Sequence, residues 1–225
     1  MTDVLAHRGA HFHVRDNTLE SFREAKEMGV QGVELDVRRT RDGILVVHHD
    51  PVVEFMTIAQ TPARDLPGFV PTLEESLGVT SGMCVNIEIK NSPEEPGYDP
   101  AGSVVRDVLA CIDSAPETAV IISCFDLATC EAVRAQSKSV DLGWLVQRSL
   151  GDSLEVAHAA GFNAVHPHVS LVNAELKRRA DELGLALNVW TVNSPRDLAA
   201  MGRLGVRSVI TDEPALALEI LRPVA

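Results

Sequence analysis

The chain has 225 residues, of which 45% are hydrophobic and 4% aromatic, and it carries a formal net charge of −12 with an isoelectric point near 5.0. This length and apolar content suit one α/β barrel, so we expect a single domain over residues 1–225. The negative charge argues against nucleic acid and anionic membranes as partners, and a phosphate-bearing substrate would need local cations or a metal.

Short apolar runs alternate with amphipathic stretches from the N-terminus onward. In "TLESFREAKEMG", Leu19, Phe22 and Ala25 recur at helical spacing and Gly29 closes the run, which predicts a helix with a glycine C-cap. Regular strand–helix alternation predicts parallel strands joined by right-handed crossovers. The eight predicted strands are residues 4–9, 32–37, 84–90, 119–125, 142–147, 163–169, 185–192 and 207–212.

The repeated strand–helix units predict a (β/α)8 TIM barrel, because no GxGxxG stretch follows the first strand. A doubly wound open sheet is the structural alternative. Residues 43–49 follow the second strand through the turn "RDG", which predicts a short extra hairpin strand beside the barrel mouth. Residues 54–71 are interrupted by proline and predict an insertion near the barrel mouth without a packed cap, and residues 91–100 predict a loop.

The N-terminal residues and the cysteines both bear on the cellular compartment. No basic region precedes a long apolar run, and no segment approaches the roughly 18 apolar residues of a membrane span, so we expect a cytoplasmic protein without stable membrane insertion. The cysteines lack CxxC spacing and predict small buried side chains rather than a disulfide framework or a zinc site. They are Cys84, Cys111, Cys124 and Cys130.

Charged and polar residues gather where the predicted strands end, and TIM barrels carry their chemistry at this edge. Glu34 and Asp36 alternate onto one face of the second strand. With Glu88 they would repel one another by about 4 kcal/mol for each contact at about 4 Å, at an effective dielectric constant near 20. The strand-end residues are His7, Arg8, Glu34, Asp36, Glu88, Lys90, His166, His168, Trp190 and Asp212.

This repulsion predicts one divalent cation among the carboxylates. All-oxygen ligation without cysteine favours Mg²⁺ or Ca²⁺ over zinc. The alternative is that these acids form ordinary salt bridges at the rim, with Lys90 neutralising Glu88.

Histidines lie beside the acids in the predicted barrel. His7 ends the first strand, and two further histidines, His48 and His49, end the hairpin strand, so a base and an acid for proton transfer are available near neutral pH. Because side chains alternate, only one of the adjacent pair can face the site, and spacing does not choose between them. His166 and His168 predict polar residues at the rim or, alternatively, further metal ligands.

Several motifs together resemble the glycerophosphodiester phosphodiesterase family, in order and over nearly the whole chain. They are "AHRGA", "DNTLESF", "GVELDVRRTRDGILVVHHDP", "PTLEESL", "NIEIK", "WTVN" and "ITDEP". The resemblance implies metal-dependent hydrolysis of a small-molecule glycerophosphodiester to glycerol 3-phosphate and an alcohol. It implies a catalytic pair (His7, His49), ligands of one Mg²⁺ or Ca²⁺ ion (Glu34, Asp36, Glu88), and phosphate or substrate contacts (Arg8, Lys90, Trp190).

The chain departs from the family pattern at two places. It reads "DNT" where the family usually has Glu-Asn-Thr, and we expect Asp16 or Asn17 to cap the following helix. Between Asp50 and Pro71 it lacks the family's longer insertion with a Leu-x-Arg-x-Thr stretch, which leaves the head-group specificity open.

Two other functions stay open at this point. A lysophospholipase D-type phosphodiesterase would need an apolar track for an acyl chain, for which Phe55, Met56 and Phe69 are the candidates. A catalytically silent barrel used as a binding module should have lost at least one catalytic residue, and every motif residue is present.

Overall fold

Strands and helices alternate along the computed structural model, which describes residues 1–222. The strands are β1 (Asp3–His7), β2 (Gly32–Arg39), β3 (Leu45–Val47), β4 (Val52–Val53), β5 (Met56–Thr57), β6 (Cys84–Ile89), β7 (Ala119–Cys124), β8 (Asp141–Val146), β9 (Ala164–Pro167), β10 (Ala186–Val189) and β11 (Ser208–Thr211). The helices are α1 (Leu19–Met28), α2 (Leu73–Val79), α3 (Ser103–Asp113), α4 (Leu127–Gln136), α5 (Ser153–Ala159), α6 (Ala174–Glu182), α7 (Pro195–Leu204) and α8 (Pro214–Leu221).

Eight of the strands close into a parallel barrel in the order β1, β2, β6, β7, β8, β9, β10 and β11. Closure occurs at β1, which pairs in parallel with both β2 and β11. One helix lies between each barrel strand and the next, and α8 follows the last strand. The predicted TIM barrel is therefore confirmed, and the open doubly wound sheet is excluded.

Alternate residues of β2 face either the apolar core beneath the helices or the interior of the barrel. Val33, Leu35 and Val37 are fully buried and belong to the same apolar cluster as Phe22 and Ala25 of α1. Since successive strand residues point to opposite faces, the residues between these three point into the barrel. This outward apolar stripe provides the packing that holds the inward polar residues in place.

Helix α1 forms where the sequence pattern predicts it, although its N-cap differs. Gly29 has φ 80° and closes the helix as the predicted C-cap. The N-cap is Thr18, whose hydroxyl accepts a hydrogen bond from the Ser21 backbone N–H, and not Asp16 or Asn17 as expected. Both of those side chains bond elsewhere, because the turn before the helix points them towards the barrel mouth.

The extra hairpin strand is also confirmed: β3 runs antiparallel to β2, with Val37 opposite Val47. The insertion that follows is better packed than its prolines predict. It forms the hairpin β4–β5 and two short 3-10 turns, and Ile58 is 1% exposed. Its apolar residues pack with Val46 of β3 in a separate cluster, and they are Val53, Met56, Ile58, Ala63, Leu66, Phe69 and Val70.

Polar side chains from neighbouring strands fill part of the barrel interior. The His166 imidazole is 0% exposed, and its Nε2 lies 2.8 Å from the Asn188 amide nitrogen. The Asn188 carbonyl oxygen accepts a hydrogen bond of 2.8 Å from Ser208. Gly143 on β8 leaves the space for the imidazole, since a Cβ at this glycine would lie 2.0 Å from His166 Nε2. Within residues 1–222, no helix has both the length and the apolar character to cross a bilayer.

Gly143→Ala should destabilise the fold, because the added methyl group would overlap a fully buried ring in a close-packed interior. We expect the free energy of unfolding in urea to fall by about 1–3 kcal/mol. Gly78→Ala in α2 is the matched control, because no atom lies within 4 Å of its Cβ position. That control should be neutral or stabilising by up to about 1 kcal/mol. Equal effects of the two substitutions would contradict this description of the interior.

Candidate active site

A sharp turn at the end of β1 begins the site. Arg8 and Gly9 both adopt left-handed backbone conformations, with φ 57° and 84°. A Cβ at Gly9 would lie 2.4 Å from Ser21 Oγ, so only glycine fits there. The left-handed Arg8 costs on the order of 1–3 kcal/mol, which the surrounding contacts must offset. One of these contacts is the Arg8 backbone N–H, which donates to the Glu34 carboxylate at 3.1 Å.

Three carboxylates meet at the barrel mouth. Glu34 and Asp36 on β2 and Glu88 on β6 each offer an oxygen, and these oxygens all lie within 4.8 Å of one another. Oxygens bound to a common Ca²⁺ ion are at most about 5 Å apart, so the spacing fits one cation. Glu34 Oε1 is buried without a hydrogen-bond partner, which leaves an acceptor for such an ion. The cluster can therefore bind a metal.

Burial and mutual repulsion determine the electrostatics of this cluster. Burial raises the pKa of Glu34 well above its ordinary value, and the charges on Asp36 and Glu88 raise it further. The pKa of Glu88 is raised for the same first reason. Burial opposes ionisation of Asp36 too, but Lys90, His49 and Arg8 together lower its pKa. The negative charge in the mouth is thus only partly balanced by side chains.

Two basic side chains, Lys90 and Arg8, border the carboxylates. Lys90 Nζ lies 2.7 Å from Glu88 Oε1 and 3.5 Å from Asp36 Oδ1. Arg8 Nε lies 3.3 Å from Asp36 Oδ2, and Arg8 Nη1 donates to Asp16 at 3.2 Å. The salt bridges considered as an alternative are present, but they leave Glu34 Oε1 without a partner. The ion pairs therefore leave an oxygen of the cluster available to a cation.

His7 is held by an acid from the last barrel strand's end. Its Nδ1 lies 2.6 Å from Asp212 Oδ1, and its Nε2 lies 3.8 Å from Glu34 Oε2. The Asn193 amide donates to the other Asp212 oxygen at 2.6 Å. Burial raises the Asp212 pKa, but hydrogen bonds from His11 and His7 outweigh it and leave the pKa well below its ordinary value. An ionised Asp212 accepts the Nδ1 proton, so Nε2 is the nitrogen that faces the carboxylates.

The adjacent histidines after β3 have different surroundings. His49 Nδ1 lies 2.7 Å from Asp50 Oδ1, and its imidazole interacts electrostatically with Asp36. Burial lowers the His49 pKa, which favours the neutral ring. His48 Nδ1 instead lies 3.0 Å from the Asp50 backbone oxygen. The geometry therefore brings His49, which follows β3 on the same edge of β2 as β1, towards the carboxylates.

Comparison with known proteins places the residues of this site in a protein family. The sequence model of the Glycerophosphoryl diester phosphodiesterase family matches residues 7–216, a range that includes every residue of the site described above. The chain belongs to this family. A glycerophosphodiester phosphodiesterase from Caldanaerobacter subterraneus subsp. tengcongensis is 29% identical over 98% of each chain.

Solved structures agree with this relationship. A glycerophosphodiester phosphodiesterase from Thermotoga maritima has a TM-score of 0.83 and 28% identity, and the match covers 98% of each chain. A phosphodiesterase from Oleispira antarctica, solved in complex with the product sn-glycerol-3-phosphate, has a TM-score of 0.90 over 98% of this chain and 97% of that one. Its identity of 21% supports the fold alone.

Trp190 lies in an aromatic group at the mouth of this family's barrel. Its Nε1 donates to the His166 backbone oxygen at 2.8 Å. Its ring makes edge contacts with Phe125 and His168, at centroid distances of 5.4 and 5.2 Å. His168 therefore lies at the rim, as predicted, beside the aromatic wall. The prediction for His166 was wrong, since that ring is neither at the rim nor among the carboxylates but buried in the barrel interior.

Several site residues were missed by the sequence reasoning or given another role. Asn17 donates to Asp36 Oδ2 at 2.8 Å and accepts from the Asp36 backbone N–H at 3.3 Å, so it fixes this carboxylate. Asp16 pairs with Arg8. The sequence pattern places Asp212 at the rim but gives it no partner, and it does not single out Asn193. The available signal was the motifs "DNT", "WTVN" and "ITDEP" of this chain, which contain more polar residues than helix capping needs.

The buried His166 should make the fold sensitive to acid. Burial, with a smaller contribution from Arg207, lowers its pKa to about 3. The unfolded chain binds a proton near the ordinary pKa of about 6.5, so each unit of pH below that value costs about 1.4 kcal/mol of stability. His166→Gln should remove this dependence and flatten the plot of unfolding free energy against pH between about 6.5 and about 4. Urea unfolding at several pH values measures both slopes, and identical slopes would contradict the prediction.

Proposed function

We propose that the chain is a metal-dependent phosphodiesterase that hydrolyses glycerophosphodiesters to glycerol 3-phosphate and an alcohol. The observation that carries this proposal is the carboxylate cluster, with one unpartnered oxygen on Glu34, His7 beside Glu34 and His49 beside Asp36. Family membership over residues 7–216 supports the same reaction, and so does the activity named for the relative from Caldanaerobacter subterraneus subsp. tengcongensis. The substrate would be a small molecule.

Glu34, Asp36 and Glu88 would hold one divalent cation. Their oxygen-only donor set favours Mg²⁺ or Ca²⁺, and no thiol or imidazole belongs to the cluster within the described residues. When bound, the cation would supply positive charge to a phosphoryl oxygen and a glycerol hydroxyl. Asn17 would keep Asp36 in its ligating orientation through the two hydrogen bonds described above.

Arg8 and Lys90 would bind the phosphate. Both lie at the edge of the cluster with several donors each, and charge-assisted hydrogen bonds to phosphate are strong and directional. Developing negative charge on the phosphoryl oxygens would strengthen these contacts in the transition state. Trp190, supported by Phe125 and His168, would form an apolar wall for the substrate.

His7 and His49 would act as the acid–base pair. Each ring has its Nδ1 beside a carboxylate, Asp212 for His7 and Asp50 for His49, which leaves each Nε2 to exchange a proton with substrate. One histidine would take the proton of the attacking oxygen, and the other would protonate the leaving alcohol. Attack by water would give glycerol 3-phosphate directly, whereas attack by the glycerol hydroxyl would expel the alcohol and give a cyclic phosphate that one water then opens to glycerol 3-phosphate.

A lysophospholipid substrate is the second candidate. Phe55 is 100% exposed at the β4–β5 turn, where an acyl chain could contact it. Met56 and Phe69, the other apolar residues expected to contact an acyl chain, instead pack within the insertion. Phe55 alone offers little apolar surface to an acyl chain, and this favours water-soluble diesters over lysophospholipids as substrates. The cytoplasmic location and the single-domain organisation over residues 1–225 stay predictions.

A substrate panel with defined metals tests the proposed function. Glycerophosphocholine, glycerophosphoethanolamine and lysophosphatidylcholine should be assayed with Mg²⁺, Ca²⁺ or a chelator. We expect activity on the two glycerophosphodiesters, loss of that activity on chelation, and weak activity on the lysophospholipid. The effective metal should also raise the melting temperature of the wild type but not of Glu34→Ala, because binding to the native state stabilises it. Full activity after exhaustive chelation would remove the metal from the proposal.

Histidine variants test the acid–base assignment. His7→Ala and His49→Ala should each lower kcat by about 100- to 10,000-fold, the usual contribution of a positioned acid or base. His48→Ala is the matched control, since its ring binds a backbone oxygen away from the carboxylates, and its kcat should change little. Steady-state kinetics on glycerophosphocholine gives all three values. A larger loss in His48→Ala than in His49→Ala would overturn the choice between these neighbours.

A further inference from the structure

Arg38 occupies an unusual position above the carboxylates. Glu34, Asp36 and Arg38 alternate along β2, so their side chains leave the same face of the strand. The Arg38 side chain is only 5% exposed. Asp36 lies two residues before Arg38 on the same face of β2, so an ion pair between the two side chains would be expected. Arg38 forms its hydrogen bonds with other groups instead.

The Arg38 guanidinium is directed instead at the segment that carries His49. Arg38 Nε and Nη2 both donate to the His49 backbone oxygen, at 2.8 and 2.5 Å. The remaining terminal nitrogen, Nη1, donates to Glu95 Oε2 at 2.7 Å. The planar fork of arginine allows these contacts together, which a lysine ammonium could not reproduce.

His49 has few other constraints. Strand β3 ends at Val47, and the last ladder-like hydrogen bond of the hairpin is from the His48 backbone N–H to the Asp36 oxygen, at 2.9 Å. The imidazole partner, Asp50, is 69% exposed and follows directly in the chain, so it moves with the segment. Within residues 1–222, the two bonds from Arg38 are therefore the hydrogen bonds that join His49 directly to a barrel strand.

Glu95 supplies the charge that keeps Arg38 in this orientation. It lies in the loop between β6 and α3, where its backbone N–H donates to the Ser92 oxygen at 3.0 Å. The loop is closed by Asn91 and Asp99, which exchange side-chain and backbone hydrogen bonds of 2.8 and 3.2 Å. A buried guanidinium needs such a counter-charge, because an unpaired charge in the interior is strongly unfavourable.

We propose that Arg38 is a positioning residue for His49, and that Glu95 of the β6–α3 loop holds Arg38 in the orientation this requires. The inference rests on the proposed function, because it gives His49 a role in proton transfer. It adds that the loop is energetically connected to the geometry of His49. Displacement of a catalytic group by about 1 Å can cost about 100-fold in rate, so loss of either partner should lower turnover.

Arg38→Lys tests the positioning role. It keeps the positive charge but loses the fork, so kcat on glycerophosphocholine should fall about 10- to 100-fold. KM should stay within about twofold, because the proposed phosphate and metal contacts are untouched. Arg39→Lys is the matched control, since Arg39 faces outward and pairs with Asp107 and Ser103 on α3. That control should keep wild-type kcat.

Glu95→Gln tests the proposed role of Glu95 in orienting Arg38. It also provides a test if Arg38→Lys fails to fold, because the Glu95 side chain is 32% exposed and its substitution should disturb the interior less. It should lower kcat about 3- to 10-fold. Glu94→Gln, at the neighbouring position in the same loop, should have no effect. The double variant Arg38→Lys/Glu95→Gln should be no slower than Arg38→Lys alone, because both substitutions break one coupled unit.

A second readout does not depend on activity. With carbon-13-labelled histidine rings, the His49 signal is identified by its loss in His49→Ala. It should shift or broaden in Arg38→Lys and Glu95→Gln and remain unchanged in the two control variants. If wild type and His49→Ala behave as proposed but Arg38→Lys and Glu95→Gln keep wild-type kcat and spectrum, the positioning role is overturned. A wild type without activity on any diester would instead overturn the proposed function.

Discussion

Like-charge repulsion among Glu34, Asp36 and Glu88 is the constraint on which the rest of the site depends. At an effective dielectric constant near 20, two carboxylates at about 4 Å repel by about 4 kcal/mol, a large fraction of the stability of a typical domain. The neighbouring Lys90 and Arg8 reduce this repulsion, and Asn17 fixes one carboxylate by hydrogen bonding. The remaining deficit of positive charge is what a divalent cation and the basic contacts to a phosphate would share.

The barrel can hold this cluster because the strand residues that face the surrounding helices are apolar and tightly packed. Val33, Leu35 and Val37 anchor β2 in the core, so the acids between them cannot move apart without disrupting packed side chains. The carboxylates therefore stay close together and continue to repel one another, which would favour the binding of a cation between them. The buried contact between His166 and Asn188 shows that this interior accepts polar groups where hydrogen bonds or close packing hold them.

Much of the fold could be predicted from the sequence, because strand alternation and helix spacing are local signals. The acids of β2, the hairpin strand and the barrel order follow from such patterns and are present in the structure. The partners of His7 and Arg38 were not predictable in this way, since Asp212 and Glu95 lie far along the chain and only closure of the barrel brings them near. The packed insertion escaped prediction for a related reason, because its apolar residues follow no regular period.

The two histidines of the site are supported in physically different ways. His7 belongs to the barrel itself: it ends β1, and its partner Asp212 is fixed by Asn193 at the end of the neighbouring strand. His49 belongs to an irregular segment beyond β3, and its link to the barrel passes through Arg38 to a loop. Local opening costs less in loops than in core strands, so His49 is the half of the pair whose position can respond to what occupies the mouth. Loss of the contact between Arg38 and Glu95 would therefore displace His49, whereas the support of His7 by Asp212 would stay intact.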